Sequence, residues 1–181
     1  MKENVSDLFD QITGENNGLQ NLLQKIPGLS GYMEKGQRRK ADQILRETLA
    51  GRLEESRLKL TNVHQELGRD IILAMDYAEP LGRADNLLMG LIGKIKDAPV
   101  GYAGFFDANK VKEDDLARIY AFDEGMFNHA AEIDTSIAAT EKAVQDNGDI
   151  NGAIRILTTD LQEANQEFAM RDEVIKGIQS L

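Results

Sequence analysis

The sequence predicts an all-α protein: an elongated antiparallel three-helix bundle of coiled-coil character, with a long kinked central helix and a short N-terminal helical appendage. Three observations carry this. There are only 3 prolines in 181 residues, and runs of Val, Ile or Thr are few. Apolar residues recur at spacings of three and four over long stretches, which is the period of one helix face. Hydrophobic content of 41% beside 29% charge suits a folded chain rather than a disordered one.

Residues 1–31 form the expected appendage. Val5, Leu8, Phe9 and Ile12, then Leu19, Leu22, Leu23 and Ile26, repeat one apolar spacing on either side of "TGENNG". Each group suits one face of a short helix, and "PGLSG" at 27–31 reads as a turn.

Residues 32–181 form the expected bundle. Leu45, Leu49, Leu53, Ser56, Leu60, Val63, Leu67, Ile71, Ala74 and Ala78 cover 33 residues in nine steps, or 3.67 per step. That period lies nearer an 11-residue repeat than a heptad and predicts a straight or weakly right-handed helix. Pro80 interrupts the stripe, which stays in phase through Leu81, Ala84, Leu88, Leu91 and Ile95. A kink at Pro80 within one helix is therefore expected. The stretch 98–111, rich in glycine and aromatics, reads as a connection. A third helix follows from about Lys112 to Asp146, with Leu116, Ile119, Met126, Ala130, Ile133, Ile137 and Val144 facing inward. "DNGD" ends it, Gly148 serving as the C′ residue and Asp149 as the next N-cap. The last helix carries Ile150, Ile154, Leu157, Leu161, Ala164, Phe168, Ile175 and Ile178, a heptad seam that Arg171 and Asp172 interrupt.

Lengths then suggest an arrangement. A third helix of about 35 residues spans roughly 50 Å. Folded back from residue 97, it covers the central helix only to about residue 62, and the last helix returns over the same stretch. Leu45, Leu49, Leu53 and Leu60 would be left without cover beyond that of residues 1–26. A homo-oligomer pairing residues 33–61 between chains is the expected solution.

Charge and composition narrow the function classes. The net charge is −10, of which residues 1–106 hold −1 (14 basic, 15 acidic) and residues 107–181 hold −9 (7 basic, 16 acidic). Such a C-terminal part repels phosphate backbones and anionic lipid. No cysteine is present, so disulfides and thiolate metal sites are excluded. No stretch approaches the roughly 20 apolar residues of a membrane span, and "MKENVSDLFDQ" lacks the apolar core of a signal peptide. A cytoplasmic location is expected.

Candidate chemistry is sparse. His64 and His129 are the only histidines, and neither has a Glu three residues before it, as the pairs of di-iron bundles require. His129 precedes Glu132 by one turn, but two ligands from one helix do not complete a metal site. Asp123 falls on the inner seam between Ile119 and Met126. The favoured reading is a buried carboxylate bonded to Tyr102 or to amides of the glycine-rich turn, rather than a catalytic one. No catalytic residue, metal or cofactor is expected, and the chain reads as a non-enzyme.

Two interaction candidates remain besides the leucine stripe. The basic start "KGQRRK" offers Arg38, Arg39 and Lys40 to an acidic partner or to lipid headgroups. It lacks the interleaved aromatics of a nucleic-acid surface, so no nucleic-acid partner is expected. In "GYAGFFDANK" the glycines bring backbone close to Tyr102, Phe105 and Phe106. The economical reading is an aromatic plug at the bundle end, the alternative a partner pocket.

Two segments, "IPGLSGYMEKGQRRKADQILRETLAGRL" (26–53) and "VGYAGFFDANKVKEDDLARIYAFD" (100–123), together resemble a family of bacterial helical proteins, some encoded beside band-7 (stomatin/flotillin-type) membrane scaffold proteins. The resemblance covers about a third of the chain and carries over no catalytic residues. Gly36 stands where the family favours a charged helix former, so the helix here is expected to start later. The resemblance implies an assembly or adaptor role at a membrane-associated scaffold. The resulting expectation is a non-enzymatic, self-associating interaction protein. The alternative is a peripheral membrane-remodelling or membrane-stress protein built on a long helical hairpin.

Overall fold

The computed structural model describes residues 18–29, 31, 38–98 and 113–179, with side chains for 21–29, 31, 40–98 and 119–171. Every element among them is helical: α1 (Gly18–Lys25), α2 (Arg38–Leu67), α3 (Ile71–Asp97), α4 (Glu113–Gln145) and α5 (Ile150–Gln179). The all-α expectation holds.

The expected long central helix does not. It breaks at Gly68–Asp70, ten residues before Pro80, and α3 turns back antiparallel onto α2. The Asp70 carboxylate stops one helix and starts the next, because its Oδ1 accepts the otherwise unpaired N–H groups of Ile72 (2.8 Å) and Leu73 (3.2 Å). Gly68 donates its N–H to the His64 carbonyl at 3.0 Å, closing the last turn of α2. The 3–4 spacing through Ile71, Ala74 and Ala78 was a coincidence of phase: Leu67 is buried, whereas Ile71 is 77% exposed. Pro80 sits inside α3, and the helix runs on through it.

The three-helix arrangement is thereby corrected to four long helices. Each packs on two neighbours in the cyclic order α2, α3, α5, α4, with α1 laid against α4. The Arg57 guanidinium forks onto Asp85 (2.8 and 3.1 Å), joining α2 to α3. Ser56 and Lys59 of α2 both donate to Asp134 of α4, at 2.8 and 2.6 Å. Lys94 and Asn165 tie α3 to α5 at 2.8 Å, and Ser136 donates to Asp160 between α4 and α5. These levels make α2/α3 and α4/α5 two antiparallel hairpins, whose helices run parallel where the hairpins meet. The end of α3 and the start of α4 therefore lie at the same end of the bundle, at opposite corners.

The turn between α4 and α5 is a Schellman closure. Gly148 donates to the Ala143 carbonyl (2.8 Å) and Asn147 to Val144 (3.4 Å). The left-handed residue is Asn147 (φ 51), not Gly148. Asparagine tolerates that region better than most side chains do. Asp149 caps α5 as expected, accepting from Gly152 N at 2.8 Å. In the appendage, Leu22, Ile26 and Leu29 are at most 2% exposed, and Gly28 (φ +85) makes the turn after α1. Residues 1–17 lie outside the described part.

Candidate functional site

The leucine stripe is interior. Leu45, Leu49, Leu53 and Leu60 are 3%, 5%, 1% and 0% exposed within the single chain. The core they join includes residues of α1, α3 and α4. The cover assigned to a second copy is supplied within the chain, where the returning α3 and α4 both pack on α2, so these four side chains lie in the interior. Lys40 is exposed and donates to Gln43 (3.2 Å). Arg38 and Arg39 begin α2, and their side chains lie outside the described part, as do Tyr102, Phe105 and Phe106. Three further aromatics that follow that stretch in sequence, Tyr120, Phe122 and Phe127 of α4, are buried. The Arg52 guanidinium stands 5.0 Å from the centre of the Phe127 ring.

At the end where α3 finishes and α4 starts, four charged side chains are buried together. Arg171 of α5 donates from Nε to Asp123 Oδ1 of α4 at 2.8 Å, and from Nη2 to Asp42 Oδ1 of α2 at 3.0 Å. Arg46, one turn after Asp42, donates to its other oxygen at 2.8 Å and also to the Ala98 carbonyl at the end of α3. All four long helices meet in this network. Asp123 is thus buried, as expected, and bonded to Arg171; the expected partners, Tyr102 and the glycine-rich turn, lie outside the described residues. Burial pushes the Asp123 carboxyl up against the opposing pull of Arg171, with the Asp42 charge adding to the push. Arg171 remains a guanidinium, held above its ordinary value by both carboxylates despite burial. The two directions are consistent because Asp123 Oδ2 is buried with no hydrogen-bond partner. The sequence signal was present. Counted outward from the α4–α5 turn, Asp123 on one seam and Arg171 interrupting the other fall level with each other.

A second polar cluster lies about a turn further along the α4–α5 seam. His129 Nε2 is 2.6 Å from Glu167 Oε2, and Nδ1 is 3.1 Å from Glu132 Oε2. The bond to Glu167 raises the imidazole above its ordinary value, partly offset by burial, with both carboxylate charges adding to the rise. Gly125 makes room for this contact, since a Cβ there would lie 2.3 Å from Glu167 Oε1. Glu167 was not foreseen as a partner for His129. Among the described residues no group of three His, Cys, Asp or Glu is placed to hold a metal ion.

The opposite end of the bundle differs in kind. Ile71, Ile72 and Met75, in the first turns of α3, are 77%, 71% and 81% exposed. They form an apolar tip, bordered by the Arg69–Glu66 ion pair (2.7 Å). Comparison with family models, with curated proteins and with solved structures gave no match. No helix among the described residues is long and apolar enough to cross a membrane.

Proposed function

We propose that this chain is a non-enzymatic helical interaction protein that docks through the tip of its α2–α3 hairpin. The exposed triad Ile71, Ile72 and Met75 carries the reading, because three large apolar side chains grouped in solvent at one helix start are a cost that a partner removes. The polar residues that invited a catalytic reading support it as well. Asp123 is engaged by Arg171 and His129 by Glu167, in contacts that join α4 to α5, and His129 also meets Glu132 of its own helix. A second copy of the chain is the first partner to test, with the hairpin tip in place of the leucine stripe. The resemblance of 26–53 and 100–123 to proteins encoded beside band-7 scaffolds supports an adaptor role at such an assembly.

The tip also favours one second reading, peripheral contact with a membrane, since apolar side chains at the end of a long bundle suit insertion between headgroups. Glu66, Asp70, Asp76 and Glu79 close by count against an anionic surface. Light scattering of the purified chain and of Ile72→Glu/Met75→Glu tests self-association: an oligomer reduced to monomer supports it, and equal masses reject it. Co-sedimentation with neutral and anionic vesicles tests the membrane reading, and no tip-dependent pelleting rejects that.

A further inference from the structure

A groove of about 710 Å³ runs between α3 and α5, along a side of the bundle near the tip. Its floor includes Pro80, Leu87 and Ile154. Proline has no N–H to give the carbonyl four residues back, and its ring pushes on that turn. The groove is partly open to solvent rather than enclosed, which suits an elongated partner better than a small molecule needing most of its surface buried. The α5 wall, from Asn151 to Gln162, is about three turns or roughly 16 Å long.

The charges on its walls are all of one sign. Arg83 and Arg155 are the charged residues among those lining it, and no carboxylate is there, although the chain carries a net −10. Arg155 makes no ion pair among the described residues, and its neighbours one turn away are Asn151, Gly152, Thr158 and Thr159. Among the described residues Arg83 has only Glu79 at 3.9 Å, where both side chains are mostly exposed. The carboxamides of Asn86, Asn151 and Gln162 add donors, whereas Thr158 and Thr159 spend their hydroxyl protons on their own helix. An apolar floor between two arginine forks and uncommitted amides complements a helix with one apolar face and carboxylates along its edges.

We propose that the α3–α5 groove is a docking site for an acidic amphipathic helix of a partner protein. The leucine-type face of that helix lies on Pro80, Leu87 and Ile154, and its glutamates or aspartates meet Arg83 and Arg155. This site lies on the side of the bundle and is independent of the apolar tip.

Fluorescence anisotropy on the full chain tests it. The probe is a labelled synthetic peptide of about four turns with leucines at helical spacing and glutamates flanking them. Binding should weaken on adding salt. It should fall by at least about tenfold in Arg83→Glu/Arg155→Glu, whose exposed positions leave the fold intact by circular dichroism. Arg83→Lys/Arg155→Lys should retain most of it, and the same peptide with lysine for glutamate should not bind. Undiminished binding to the Glu/Glu variant overturns the proposal, as does equal binding of the lysine peptide. Displacement by millimolar inorganic phosphate alone marks a simple anion site and also overturns it. Loss of binding in Ile72→Glu/Met75→Glu instead assigns the peptide to the tip, and again the groove proposal falls.

Discussion

At one end of the bundle Asp42, Arg46, Asp123 and Arg171 are buried against each other, while at the other Ile71, Ile72 and Met75 stand in water. Charge is inside and apolar surface outside, the reverse of what burial energetics alone favour. The two ends differ in what completes them. At the charged end Arg171 is answered by carboxylates of two other helices, and Arg46 by Asp42 of its own helix and by the Ala98 carbonyl, so desolvation is offset by contacts that depend on the four-helix arrangement. At the apolar tip nothing within the described chain answers the side chains, which leaves them to an outside partner.

Removing one ion should show the largest effect. Arg171→Met leaves Asp42 and Asp123 buried without it and should cost about 3–5 kcal/mol in urea unfolding. The quadruple variant Arg171→Met/Arg46→Met/Asp42→Leu/Asp123→Leu should recover much of that loss, since no unpaired buried charge then remains in the network, Arg46 having Asp42 as its ion partner. No recovery would mean that the network stabilises the fold in its own right rather than selecting the arrangement.

The middle of the bundle sets a yardstick. Leu53→Ala should destabilise by about 2–5 kcal/mol, the range for a fully buried leucine. A change within about 0.5 kcal/mol would place Leu53 at a surface and restore the uncovered stripe.

His129→Gln tests the smaller polar cluster through pH. The folded-state imidazole is raised above 6.5, so its stabilising contribution is fully present below that value and disappears as pH rises through the raised one. The deficit of the variant should therefore be greatest near about pH 5.5, on the order of 1–2 kcal/mol, and should shrink by about pH 9. A deficit independent of pH would show that packing rather than charge is lost.

Asp70→Ala removes the cap that separates α2 from α3 and should cost about 1 kcal/mol. Ile72→Ala, in the exposed tip, should change monomer stability by less than about 0.5 kcal/mol. A larger loss, growing with protein concentration, would mean that a second copy already covers the tip.

How much of this was legible follows from particular residues. The helical class, the boundaries of α4, the Asp149 cap and the apolar face of α1 rest on period and capping chemistry, which act within a few residues. Gly68 and Asp70 were equally local signals for a turn, but an apolar spacing continuing in phase across them concealed it. Periodicity shows which face of a helix is apolar and is silent about direction in space, so a straight helix and a hairpin share one pattern. The association of Arg171 with Asp123 and Asp42 joins residues 48 and 129 positions apart, and those separations close only after both hairpins form. Sequence alone determined that the chain is helical and which faces seek cover. Tertiary structure decided that the chain covers its own leucines, because α3 turned back at Asp70 brings an apolar face to them without the entropic cost of recruiting a second molecule.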